Sequence, residues 1–322
     1  MFILQYLTIC KSTILVKKVI VIEKPFMHPY IVIFIGVLSV SASAIFVKLA
    51  DAESGAIAFY RMLLSVLIMA PLFFAKYLHE LKSLTSRDWL FSTIAGIFLA
   101  FHFILWFESL RFTSVASSTV LVTLQPLFAI AGTYFFFKEK IVGKTIIAGI
   151  IAISGSVLIS WGDLQVGGTA FYGDLLALAA CALVTGYMLF GQDVRSRVGL
   201  TTYTMVVYTV STITLGLYMI IKGESFGPYE PKTWMWFMLL ALIPNLLGHN
   251  LFNWAVKYVS VNAISIAILF EPIGASILAY LVFKEALIST QYIGGAIVIL
   301  GILLYVVDGK KLIQAIKRLK RL

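Results

Sequence analysis

Two segments of the chain, LQPLFAIAGTYFFFKE (Leu124–Glu139) and FEPIGASILAYLVFKE (Phe270–Glu285), each set a polar side chain directly before a proline inside a long apolar run. An acid placed there can carry a proton or bind an amine, because loss of water penalises its charged form and makes protonation easy. Glu271 is that acid, and the matched Gln125 donates and accepts hydrogen bonds without titrating. Two histidines, His102 and His249, also lie deep in apolar runs, and histidine changes charge near neutral pH more readily than any other side chain. In PNLLGHNLFNW, Asn245, His249 and Asn253 fall at i, i+4 and i+8, on one face of an α-helix. Such a stripe turns toward a cavity or another helix, and the cavity is the expectation. The substrate-binding candidates are therefore Gln125, Glu271, His102, His249, Asn245 and Asn253, and the proton-coupling candidates are Glu271 and His249. The structural alternatives are a proline kink closed by a protonated Glu271 and neutral imidazoles that bridge helices.

The elements that carry these groups are membrane helices. In 322 residues, 61% are hydrophobic and 12% charged, and the mean hydropathy is +0.98, far outside the range of soluble domains. The lipid bilayer is thus a partner. The net charge of +10 does not indicate nucleic acid, because the basic residues sit in short segments between the apolar runs. Cys10 and Cys181 have neither the number nor the spacing for a disulfide framework or a metal site. GKT at Gly143–Thr145 lacks the glycine a phosphate loop needs at position 138, which is Lys138. No cofactor, metal set or nucleophile–base constellation is expected.

About 20 apolar residues cross the hydrocarbon core. Charged residues, glycines and prolines divide the chain into ten such spans, at about 31–49, 56–75, 89–109, 116–137, 143–161, 171–191, 201–221, 234–255, 262–283 and 290–307. With the N-terminus inside, 19 of the 25 Lys and Arg residues fall in inner segments, which orients both termini to the cytoplasm of a cell (inner) membrane. Residues 1–29 form a basic extension, lying on the membrane or in the cytoplasm, with Met27 as an alternative start, and residues 309–322 form a basic tail.

Pro126 and Pro272 lie 146 residues apart, and the same shift pairs Ser114 with Ser260, Tyr134 with Tyr280, Gly149 with Gly295 and Gly155 with Gly301. This is an internal duplication, with a first unit at 30–161 and a second at 162–308. Each unit holds five spans, an odd number, so the second enters the membrane inverted. Inverted repeats are a recurrent plan of secondary transporters, with the substrate site at mid-depth between the halves. The four paired glycines are expected to allow close helix packing. Hinges are expected at Pro126, Pro244 and Pro272.

The two-unit layout, the Pro-containing fourth and ninth spans ending in Lys-Glu, and their openings RFTSVASS and KYVSVNAIS resemble the drug/metabolite transporter superfamily, specifically its EamA-type transporters. The resemblance covers roughly residues 30–308. It implies an all-α basket of ten helices around a central cavity, lined by the first, third, fourth, sixth, eighth and ninth spans, and export of a small metabolite such as an amino acid. The extension at residues 1–26 has no counterpart in that pattern.

Two more residues, Trp106 and Tyr187, complete the candidates. Trp106 and Trp254 lie near span ends, where interfacial anchoring is the default. An inward Trp106 would instead stack a flat or cationic substrate, and Tyr187 is a similar candidate. Arg61, a turn inside the second span, is expected to snorkel outward or pair with Glu108. The functional expectation is alternating-access export, with proton antiport or passive facilitation as energy sources. Carriers of drugs, nucleotide-sugars or lipid-linked substrates are the alternatives, and a polytopic membrane enzyme is a more distant one. A second copy of the chain, as a homodimer, is a further candidate partner.

Overall fold

The computed structural model describes residues 25, 27–138, 142–161, 169–284 and 289–306. The basic extension, the C-terminal tail, and Glu139 and Glu285 of the repeated Lys-Glu pairs lie outside these residues. Every regular element among the described residues is helical. Eight segments are long and apolar enough to cross a membrane: α1 (Pro29–Leu49), α2 (Ser54–Lys76), α3 (Ser86–Phe112), α4 (Val115–Phe137), α6 (Thr169–Arg195), α7 (Leu200–Lys222), α8 (Pro231–Ala255) and α9 (Val261–Phe283). Two further apolar helices, α5 (Gly143–Ser160) and α10 (Ser289–Val306), are shorter. The outer faces carry large exposed side chains such as Phe135, Phe136, Leu217 and Ile221. That surface suits lipid, since helices that satisfy their own backbone groups can stand in hydrocarbon.

Local sequence explains where these helices start and break. Thr85 and Asp88 form a reciprocal capping box at the start of α3, and Ser114 accepts from the Ser117 N–H at 3.0 Å to start α4. Inside α4 the helix stops at Val122 and resumes at Gln125, and inside α9 it stops at Ile268 and resumes at Glu271. Pro126 and Pro272 occupy the first turn of the resumed helices, where a missing N–H leaves no bond unmade. The expected proline kink is therefore a full break in each case. Both resumed helices end on a lysine in the left-handed region, Lys138 at φ 55° and Lys284 at φ 59°. The likeness between the two segments thus extends to backbone conformation.

α1 is interrupted at Ala42, and α8 contains a π-helical stretch, Ala241–His249, around Pro244. Helix pairs follow a pattern: α3 packs on α6 as α1 packs on α8, α4 on α6 as α9 on α1, and α3 on α7 as α8 on α2. α2 with α7, α4 with α9 and α5 with α10 are the remaining major pairs.

The α5–α10 contact depends on small residues, though not on all those expected. A Cβ added at Gly155 would lie 2.6 Å from the Gly294 carbonyl oxygen, and one at Gly301 would lie 2.6 Å from the Ala152 nitrogen. These approaches bring two backbones together. Gly149 faces open space and Gly295 makes only ordinary contact, whereas Gly294 is part of the close approach.

Candidate functional site

The breaks in α4 and α9 place Gln125 and Glu271 each at the first position of a resumed helix, both on the wall of a central cavity. The cavity wall comprises Val40 and Ser43 from α1, His102 and Trp106 from α3, Val122 and Gln125 from α4, Val184 and Met188 from α6, His249 and Phe252 from α8, and Ile268 and Glu271 from α9. Its volume is about 30 Å³, close to the share of one water molecule. A metabolite site needs several hundred cubic ångströms, so helices must part before a substrate can enter.

Five of the candidates meet here: Gln125, Glu271, His102, His249 and Trp106. All are buried, with exposures from 3% for Trp106 to 9% for His249. The Glu271 main-chain oxygen accepts from the Ser41 hydroxyl at 3.4 Å, which ties α9 to α1 at the break. Its carboxylate makes no ion pair among the described residues. His102 donates from Nδ1 to the Ala180 carbonyl at 2.9 Å, so that tautomer presents Nε2 as an acceptor. Its ring stacks on Trp106 with centroids 5.9 Å apart and an interplanar angle of 18°. The two histidine rings are 6.4 Å apart, and His249 also meets Phe103, Tyr187 and Phe252. Oε1 of Gln125 and Nε1 of Trp106 are buried without hydrogen-bond partners among the described residues. The wall therefore combines an acid, an amide, two imidazoles and an indole in low-dielectric surroundings.

The other three candidates lie off the cavity. Asn245 donates to the Ser65 hydroxyl at 2.8 Å and so joins α8 to α2. Asn253 accepts from the Tyr187 hydroxyl at 2.5 Å, while its main-chain oxygen accepts from Arg195 Nε at 2.9 Å. Together with an Arg195 bond to the Val198 carbonyl, these fasten α6 to α8 near one end of the bundle. The expected Asn245–His249–Asn253 stripe is thus divided among three neighbours. The π turn is the reason, since it changes the angular step per residue and spreads an α-helical i, i+4, i+8 row over different directions.

Trp106 and Trp254 are buried rather than anchored at an interface, with Trp254 against Tyr258 at 4.6 Å between centroids. Arg61 departs furthest from expectation. It is 0% exposed, and Glu108 is engaged instead by Ser54 and Arg111. Arg61 Nη1 donates to the Ser43 hydroxyl at 2.9 Å, and its guanidinium carbon lies 4.1 Å from the Phe103 ring centroid. Two aromatic faces on α3, four residues apart at Phe103 and Phe107, were the available signal for an inward arginine.

Ion pairs tie one end of the bundle together, and the other end carries a recess. At the end with Arg195, Arg197 of the α6–α7 connection bonds Asp88 at 2.5 Å and Asp193 at 2.6 Å, and Arg87 bonds Asp193 at 2.9 Å. At the opposite end a recess of about 280 Å³ is lined by residues of α1–α3 including Glu53, Ile57 and Phe107. Arg61 lies 5.9 Å from the ring of Phe107, which lines the recess, and bonds Ser43, which lines the central cavity.

Comparison with known proteins agrees with this architecture. The model of the EamA-like transporter family matches twice, over residues 27–161 and 171–307. Uncharacterized transporter sll1164 of Synechocystis sp. is 27% identical over 73% of this chain and 70% of its own length. Uncharacterized transporter YxxF of Bacillus subtilis is 24% identical over 68% of this chain and 70% of its own. A solved crystal structure superposes with a TM-score of 0.72 at 16% identity, covering 88% of this chain and 98% of that one, which shows likeness of fold alone.

Proposed function

Because the chain belongs to the EamA-like transporter family, we propose that this membrane transporter exports a small organic metabolite, such as an amino acid, by alternating access between two inverted halves. The observation that carries the reading is the cavity at which the broken α4 and α9 present Gln125 and Glu271 to His102, His249 and Trp106. Broken helices that meet at mid-depth around polar groups are the usual construction of a secondary-transport site.

Ten spans in two units are supported by the helix pairs, which exchange when α1–α5 is swapped with α6–α10. The 18 residues each of α5 and α10 extend about 27 Å, near the thickness of the hydrocarbon core. The positive-inside rule then assigns the end with Arg87, Arg195 and Arg197 to the cytoplasm. Hinges at Pro126, Pro244 and Pro272 would let the halves rock.

Proton antiport follows if Glu271, with His249 beside it, gives up its proton on one side and regains it on the other. The charged and titratable groups around that pair are Arg61 from α2, His102 from α3 and Tyr187 from α6. In proteoliposomes holding labelled amino acids, an imposed pH gradient should accelerate efflux through the wild type. Glu271→Gln should abolish the response to the gradient. Equal responses in both proteins would refute coupling through Glu271, and failure to carry any amino acid would refute the substrate assignment.

A further inference from the structure

We propose that Arg61 binds the carboxylate of the transported metabolite through the edge of its guanidinium formed by Nε and Nη2, which restricts the substrate class to carboxylate-bearing molecules. The inference rests on the transport reading and adds a chemical requirement to it. Arg61 is fully buried, and of its three nitrogens only Nη1 has a hydrogen-bond partner among the described residues, the Ser43 hydroxyl. The two without partners, Nε and Nη2, point their N–H groups to the same side. They form the planar fork that matches the two oxygens of a carboxylate.

An arginine stays charged in a protein interior, so a buried guanidinium with one edge unmatched is costly unless some state of the molecule supplies an acceptor. Phe103 against its face and Ser43 on Nη1 fix the orientation of the guanidinium. Ser43 is itself on the cavity wall, and Phe103 meets His249 of the wall edge-on at 5.4 Å. Arg61 also acts electrostatically on Glu271, His102 and His249 of the wall, so a small displacement of α1 against α2 would bring the guanidinium to the cavity. Glu271, on the same wall and without an ion-pair partner, then offers the opposite charge for an amine on the same substrate. A zwitterion is the molecule that satisfies both groups together.

The purified protein in nanodiscs is screened by thermal shift against the twenty amino acids, the amines formed by their decarboxylation, and a set of monocarboxylates without an amine. Hits are then assayed by efflux from proteoliposomes. The expected result is that every stabilising compound carries a carboxylate and that Arg61→Gln weakens it roughly tenfold or more. Arg61→Lys keeps a charge but loses the fork, so it should recover only part of the binding. Should Arg61→Gln fail to fold, the Arg61→Lys variant and the carboxylate-against-amine comparison on the wild type still decide. Stabilisation by amines at least as strong as by their parent amino acids overturns the proposal, as does an Arg61→Gln variant that binds the hits within twofold of wild type, or no stabilisation by any carboxylate. If Arg61→Gln acts only through Glu271, Glu271→Gln will reproduce its effect on all compounds alike, which also overturns it. Carriage of a compound without a carboxylate would leave the transport reading intact while refuting this one.

Discussion

Gln125 and Glu271 occupy the same position in two broken helices, each the first residue after the break and each on the wall of one cavity. Their backbone settings match, so the chemical difference between them is a single amide in place of a carboxyl. The site is symmetric in its construction and asymmetric in its charge.

Exchange of the two should therefore move the acid without losing it. Gln125→Glu with Glu271→Gln is expected to retain pH-dependent efflux at reduced rate, whereas Glu271→Gln alone loses it. If the double variant is as unresponsive to pH as the single one, the position of the acid relative to Arg61 matters more than its presence.

The Tyr187–Asn253 bond holds α6 to α8 near the Arg195 end. Tyr187→Phe removes the donor and leaves the buried Asn253 Oδ1 unmatched, at a cost of about 1–3 kcal/mol. A drop of several degrees in Tm is expected, together with faster labelling of a cysteine placed nearby at that end. An unchanged Tm would mean the bond contributes nothing to closure.

Gly155 and Gly149 lie on one helix and make opposite predictions. Gly155→Ala pushes a Cβ against the Gly294 carbonyl and the Val298 nitrogen, both backbone atoms that cannot swing away, and should cost about 1–3 kcal/mol. Gly149→Ala meets nothing within 4 Å and should leave Tm unchanged or slightly higher. Paired melting curves in one detergent are the check, and equal losses at both sites would contradict the α5–α10 packing.

Stability should also depend on pH through Glu224, in the connection between α7 and α8. Partial burial is the main cause that raises its pKa above the usual 4.5, with the charge of Glu53 next, while the Ala56 N–H at 3.0 Å works in the other direction. An acid with a raised folded-state pKa gives stability that is complete below its unfolded pKa and is lost as pH rises through the folded value. Melting temperature should therefore fall as pH rises from about 4 toward neutrality, and Glu224→Gln should flatten that fall. Identical slopes for the two proteins would assign the dependence to other groups.

Much of the helical plan could be read from residue order alone. The 146-residue shift correctly matched the two broken helices, because apolar runs and prolines act locally on the backbone. What resisted reading was direction. Hydropathy places Arg61 near a span end but says nothing about which neighbour it faces, and the aromatic partners that draw it inward come from α3, forty residues later. Asn245 and Asn253 lie off the cavity because a π turn around Pro244 interrupts the α-helical step that would align them with His249. Trp106 failed the rule for interfacial aromatics because α3 continues to Phe112 and so carries the indole deeper than the apolar run suggests.

The interruptions in α1, α4, α8 and α9 have a mechanical consequence. A continuous helix resists bending because each degree of tilt stretches a ladder of hydrogen bonds, whereas a helix that already omits those bonds at one level can pivot there with its two rods intact. All four interrupted helices contribute to the cavity wall, beside the continuous α3 and α6, and the glycine-locked α5 and α10 do not. The pivots of this molecule are gathered around its central cavity, and the α5–α10 pair outside it has none.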